Sequence, residues 1–116
     1  MSLLVIIPAI VLAAAMLASA CRKAARAPTS QHMRDVLRIP PPIWALVGVA
    51  EAAAACGLAL GIAVPPLGTA AATGVACLMT GAVGAHLRVG LAGRHLVPPA
   101  VLAVTALATA AGFAGS

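Results

Sequence analysis

Charge is what this sequence has least of. Only 8% of its 116 residues are Asp, Glu, Lys or Arg, and just two of them, Asp35 and Glu51, are acidic. A water-soluble domain carries roughly 25% charged residues to cover its surface, so the chain falls outside that class. Aromatic residues are almost missing too. There is no Tyr, and Phe113 and Trp44 are the single Phe and Trp, too few for the aromatic surroundings that hold cationic ligands. The three cysteines, Cys21, Cys56 and Cys77, form no Cys-x-x-Cys pair. They also have no metal-ligand spacing with His32, His86 or His95, so no metal site is expected. They read as small, soft packing residues, although a hairpin would bring Cys56 and Cys77 to a similar depth, where a redox pair is the alternative.

Apolar residues fill the space that charge leaves, at 63% of the chain. They gather in four runs, about 2–20, 43–64, 67–87 and 96–114. At 1.5 Å per residue each run can cross a hydrocarbon core of about 30 Å as a helix. The runs are dominated by Ala and Leu and show no period-two alternation, so membrane strands are excluded. The expectation is an all-α protein, one integral membrane domain over 1–116, built as an up-down four-transmembrane-helix bundle. Pro65-Pro66 leaves almost no loop between the second and third runs. Pro40-Pro41-Pro42 blocks helix ahead of the second, and Pro98-Pro99 falls in the first turn of the fourth, where proline is tolerated. Within the basic loop 21–42, the segment "TSQHMRDVLRI" places Met33, Val36 and Leu37 on one side of a short interfacial helix.

The distribution of Lys and Arg sets the expected orientation. Arg22, Lys23, Arg26, Arg34 and Arg38 precede the second run, and Arg88 and Arg94 separate the third from the fourth. Both basic segments fall on one side of a four-span protein, which the positive-inside rule makes cytoplasmic, with the N- and C-termini outside. The net charge of +5 is therefore a signal of topology and lipid headgroups, and nucleic acid is not an expected partner. "LASAC", Leu17 to Cys21, resembles a lipoprotein cleavage site, but "MSLL" supplies no positive n-region. The first run reads as a retained helix.

Small residues recur along the helices. Gly57 and Gly61 form a Gly-x-x-x-Gly on the second. Gly74, Cys77, Gly81 and Gly84 form a stripe on the third, and Thr105, Thr109 and Gly112 form one on the fourth. Such faces let backbones approach closely in lipid, and they are expected to pack within the bundle, with a homodimer interface as the alternative. Glu51 interrupts the second run about eight residues in from Ile43, on the order of 12 Å below the membrane edge. An ionised carboxylate there costs about 2.5 to 3.5 kcal/mol, so it should face the bundle interior or a wet cavity and find a partner. A turn centred on Pro65-Pro66 would set Thr80 opposite it, with Lys23 and His86 approaching from the basic end. A polar clamp and a proton or ligand site both remain open on these residues.

Three segments together resemble the DoxX-like family of small four-helix bacterial membrane proteins. They are "CRKAAR" at the end of the first helix, "LRIPPPIWALVGVAEAAAACGLALGI", and "GAVGAHLRVG" at the end of the third. Lys23, the Gly48-x-x-Glu51 pair and the Ala82, His86 and Arg88 set match the family pattern, while Ser19-Ala20-Cys21-Arg22 stands where the family usually has a glycine before the lysine. The family takes its name from a subunit associated with a thiosulfate:quinone oxidoreductase, and some relatives are linked to redox stress complexes. The resemblance implies a multi-pass protein of the bacterial plasma membrane that is an accessory, small-ligand or quinone-associated subunit without catalysis of its own. Its partner would be a membrane oxidoreductase or a second copy. No haem pair, flavin motif or nucleotide motif assigns a cofactor. The alternative is a small proton-coupled transporter with Glu51 as the coupling carboxylate. Small multidrug-resistance-type exporters carry their acid in the first helix among aromatics, whereas here it is in the second with only Trp44 nearby. The candidate ligand or proton residues are Glu51, Lys23, His86, Arg88 and Thr80.

Overall fold

The computed structural model describes residues 1–116. Five α-helices follow in order: α1 (Leu3–Ala24), α2 (Pro28–Val36), α3 (Pro41–Gly61), α4 (Pro65–Arg88) and α5 (Val97–Ala114). A 3₁₀ turn at Gly93–Leu96 leads into the last. There is no strand, and α1, α3, α4 and α5 are each long and apolar enough to cross a membrane, counting the 3₁₀ turn with α5. They close into a ring in which α1 packs on α3, α3 on α4, α4 on α5 and α5 back on α1. The connections are short, and successive membrane-length helices run antiparallel, with α2 interposed between α1 and α3.

Apart from Pro8, which lies inside α1, the prolines act as helix starters. Pro28, Pro41, Pro65 and Pro98 all stand in first turns, where the missing N–H would have had no partner. Because α4 begins at Pro65 itself, the hairpin turn lies at Ile62–Val64, ahead of the prolines. Near this turn Gly57 meets Ala71 and Gly61 meets Gly68, a register tighter than a turn centred on Pro65-Pro66 would give.

Three helices end in the same device at the basic end. Arg26, Arg38 and Gly90 adopt φ of 54°, 56° and 82°. The next residue of each donates back across the turn: Ala27 to Arg22, Ile39 to Arg34 and Leu91 to His86. These Schellman closures satisfy the last carbonyls and reverse the chain sharply. Two of them place an arginine where glycine is unstrained. One result is that α1 continues past Ala20, the end expected from hydropathy, and carries Lys23 inside its last turn.

The core runs along the ring axis through Leu12, Met16, Leu58, Val75 and Phe113. Much of the outward face, including Leu4, Leu46, Val49 and Val104, is apolar and exposed. That is the surface a lipid solvent permits and water does not.

Candidate functional site

Helical spacing assembles a polar cluster at the basic end of the ring. Ser19 and Lys23 are four residues apart on α1, and Trp44, Gly48 and Glu51 follow at intervals of four and three on α3, so each set shares a face. The two faces meet. The Lys23 Nζ lies 2.8 Å from Glu51 Oε1, donates to Ser19 Oγ at 2.7 Å, and stands 4.4 Å from the centre of the Trp44 ring. Gly48 makes this approach feasible, because a Cβ added there would stand 3.3 Å from the Lys23 Cβ. The glycine leaves a passage for the lysine stem, and the glutamate one turn deeper receives the charge.

The pair is deep. Glu51 is 3% exposed and the Lys23 side chain 9%. Two opposite charges at contact offset much of the cost of leaving water, and a desolvated ammonium over an indole face adds about 2 kcal/mol. The pairing is incomplete, however. The ammonium, 2.8 Å from Oε1 but off ideal alignment, is the one donor of the chain that reaches this carboxylate, and its other lone pairs are unmet.

His86 on α4 is also buried. Its Nδ1 lies 2.7 Å from the Ala82 carbonyl. A carbonyl only accepts, so Nδ1 carries the proton, and in the neutral ring Nε2 is left as an acceptor. Arg88, exposed at the end of α4, donates to the carbonyls of Leu37 and Arg38 and so ties the end of α2 to α4. The other end of α2 is held by Trp44, whose indole N–H donates to the buried Ser30 hydroxyl at 3.1 Å. The short helix therefore lies across the basic end with Ser30 and Leu37 turned inward. Met33, expected on the same covered side, is more exposed.

Thr80 does not join the cluster. Its hydroxyl donates to Ala76 one turn back on its own helix, and the residue faces outward, because the tighter hairpin register sets Met79 rather than Thr80 toward the interior. The glycine faces divide. An added Cβ would strike Ala71 at Gly57 and the Gly68 backbone at Gly61, so these are packing positions. At Gly74, Gly81 and Gly84 it would meet nothing within 4 Å, so the stripe expected to pack within the bundle instead borders open space. Cys21, Cys56 and Cys77 are free and exposed, not buried packing residues. No group of His, Cys, Asp or Glu is gathered that could hold a metal ion.

Two open cavities flank the ion pair. One, of about 640 Å³, lies between α3 and α4. Trp44, Val47, Gly74, Leu78, Gly81 and Ala85 give it a mostly apolar wall. The other, of about 660 Å³, lies toward α1 and α5 and is bordered by Arg22, Arg94, His95, Pro98 and Leu102. Ser19, Met33, Glu51, Met79 and His86 line both. Lys23 lines only the first. Sequence reasoning missed the parts played by Ser19, Ser30 and Trp44. The available signals were Ser19 one turn before Lys23 and Trp44 two turns before Glu51.

No curated protein and no solved structure matches the chain. A family model does, the DoxX-like family, over residues 7–109. That span takes in all four apolar helices nearly end to end, with the Lys23, Glu51 and His86 cluster inside it, and the chain is accordingly a multi-pass membrane protein that belongs to the DoxX-like family.

Proposed function

We propose that the protein is a ligand-binding accessory subunit of a membrane redox or stress system, with no reaction of its own, and that the Lys23–Glu51 pair is the polar end of its site. The carrying observation is that this buried pair stands at the wall of an open, mostly apolar cavity. A purely structural clamp is best enclosed by packing on every side. This one faces a volume within the roughly 300 to 1,000 Å³ usual for small-molecule sites, and the shape suits a molecule with a polar head and an apolar body, such as a quinone. The redox context rests on the family. Gentle extraction followed by native mass spectrometry tests the reading: wild-type protein should retain a small hydrophobic molecule that Glu51→Leu and Gly81→Leu both lose. A wild-type protein that is ligand-free in every preparation would count against it.

A second reading, a small proton-coupled transporter, is favoured by one specific feature. Glu51 and His86 line both cavities, so a group on them could exchange between two openings. Glu51→Gln should then keep binding but abolish proton-linked transport in vesicles. The basic end is proposed to face the cytoplasm. In a cysteine-free background, a cysteine at Ser116 should react with an impermeant reagent on intact bacterial cells while one at the exposed His32 is protected.

A further inference from the structure

The donors at the Lys23–Glu51 pair are spent and its acceptors are not. The ammonium is taken up by the Ser19 hydroxyl, the Glu51 charge and the Trp44 ring. The Glu51 carboxylate meets that ammonium at Oε1 and receives no other donor from the chain, so lone pairs of this cavity-lining group are unmet. His86 commits Nδ1 to the Ala82 carbonyl, which leaves Nε2 of the neutral ring as a second acceptor on the same cavity. What this site lacks is a hydrogen to be given to it. Buried acceptors without donors select strongly for a ligand that supplies one, because an analogue lacking the donor leaves them unmet.

The charge around the site narrows the class. The ion pair is neutral as a unit, and Arg22 and Arg94 border the adjoining cavity. An ammonium donor would enter a region of net positive charge, and an anion would meet the Glu51 carboxylate. A neutral hydroxyl satisfies both conditions. The wall beyond it is apolar, and the missing side chains of Gly74 and Gly81 leave the volume open. We propose that the cavity binds a neutral amphiphile through a hydroxyl head, a phenol or alcohol, that donates to Glu51. Its ring or chain would lie along the glycine-lined face of α4. This rests on the ligand-binding reading above and adds to it a preference for hydroxyl over carbonyl or ether heads, so of a quinone and quinol pair the reduced, hydroxyl-bearing form would be held.

Trp44 is the only tryptophan and lines this cavity, so its fluorescence reports occupancy directly. The full chain in lipid nanodiscs is titrated with para-octylphenol and with its methyl ether, which keeps the ring, tail and oxygen but has no hydrogen to give. Concentrations are expressed per lipid to remove differences in partitioning. The phenol should change the fluorescence saturably and bind roughly tenfold more tightly than the ether, as expected for one hydrogen bond to a charged acceptor. In Glu51→Leu the two should fall within about twofold of each other, and in Gly81→Leu both should be lost. Equal saturable binding of phenol and ether to the wild type overturns the hydroxyl preference but leaves a ligand site standing, and needs no variant to be decisive. Preference that survives in Glu51→Leu overturns Glu51 as the acceptor. Saturable binding of neither probe overturns the site together with the function proposed above.

Discussion

The two ends of the bundle use the same residue type for opposite purposes. At the hairpin end, Gly57, Gly61 and Gly68 are pressed against Ala71, one another and the Phe113 ring, and Gly112 against Val5. Absent side chains there let α3, α4, α5 and α1 close on each other. At the basic end, Gly48 admits a lysine stem, while Gly74 and Gly81 further along α4 leave a cavity unfilled. The first arrangement resembles the dry contacts that hold membrane helices together. The second keeps volume open around a buried ion pair, which stability alone does not call for. Glycine in a membrane helix therefore has to be read with its neighbour: where a Cβ would meet backbone it means contact, and where it would meet nothing it means room.

The comparison breaks first at the ion pair. Lys23→Met would leave Glu51 buried without its counter-charge, and losing one partner of a buried pair costs about 3 to 5 kcal/mol. Unfolding in SDS-titrated mixed micelles should show a loss of that order. The double variant Lys23→Met with Glu51→Leu should recover most of it, because an apolar pair in lipid needs no compensation. A double variant no more stable than the single one would mean that Lys23 supports the fold through its stem against Gly48 and its contact with Trp44, with little contribution from the charge pair.

Next in size is the hairpin end. Gly61→Leu forces a side chain into the Gly68 backbone, and overpacking of that kind costs about 1 to 3 kcal/mol. The same micelle titration measures it. Full tolerance would require the hairpin to spread, which would show as increased protease cleavage at Ile62–Val64.

The architecture was legible in the sequence because lipid leaves few alternatives. Apolar runs of membrane-crossing length that cannot be strands must be helices, and four appear. The convergence of Lys23, Glu51 and His86 on one end was legible from the family pattern and from their places near the basic termini of their helices. Thr80 and the α4 glycines were not. Their facing depends on where the hairpin turn is centred, and a shift of a residue or two rotates a helix by more than a quarter turn at 100° per residue. Two prolines mark a turn without saying whether they end one helix or begin the next, and here they begin α4. Likewise, nothing in the spacing of Arg26 and Arg38 announced left-handed caps. Arginine is a poor guess for that position, although the caps are what fold α2 over the site.

A smaller effect is expected where α2 is tethered. Trp44→Phe keeps an aromatic face under Lys23 but removes the indole N–H given to Ser30. A hydrogen bond between helices in lipid is worth about 0.6 kcal/mol on average. Global stability should therefore barely move, while amide exchange in Pro28–Val36 should quicken by about two- to threefold, consistent with that energy. Unchanged exchange would assign the tether to Arg88 and its bond to the Leu37 carbonyl.

The smallest effect on stability belongs to Gly81→Leu, and it bears most directly on the contrast between the two ends. A leucine there meets no atom of the chain at its Cβ and would sit at the rim of the cavity between α3 and α4. Its helix propensity exceeds glycine's by somewhat under 1 kcal/mol, and in lipid an added apolar side chain costs nothing to expose. The bundle should unfold within about 0.5 kcal/mol of wild type, or slightly later, even as the cavity narrows. A destabilisation as large as that of Gly61→Leu would mean that the face is not open in the membrane but covered by a second copy of the chain. In that case the loss should shrink as the protein is diluted into excess detergent, because a monomer has nothing at Gly81 to lose, whereas a packing role within one chain would give the same loss at every dilution.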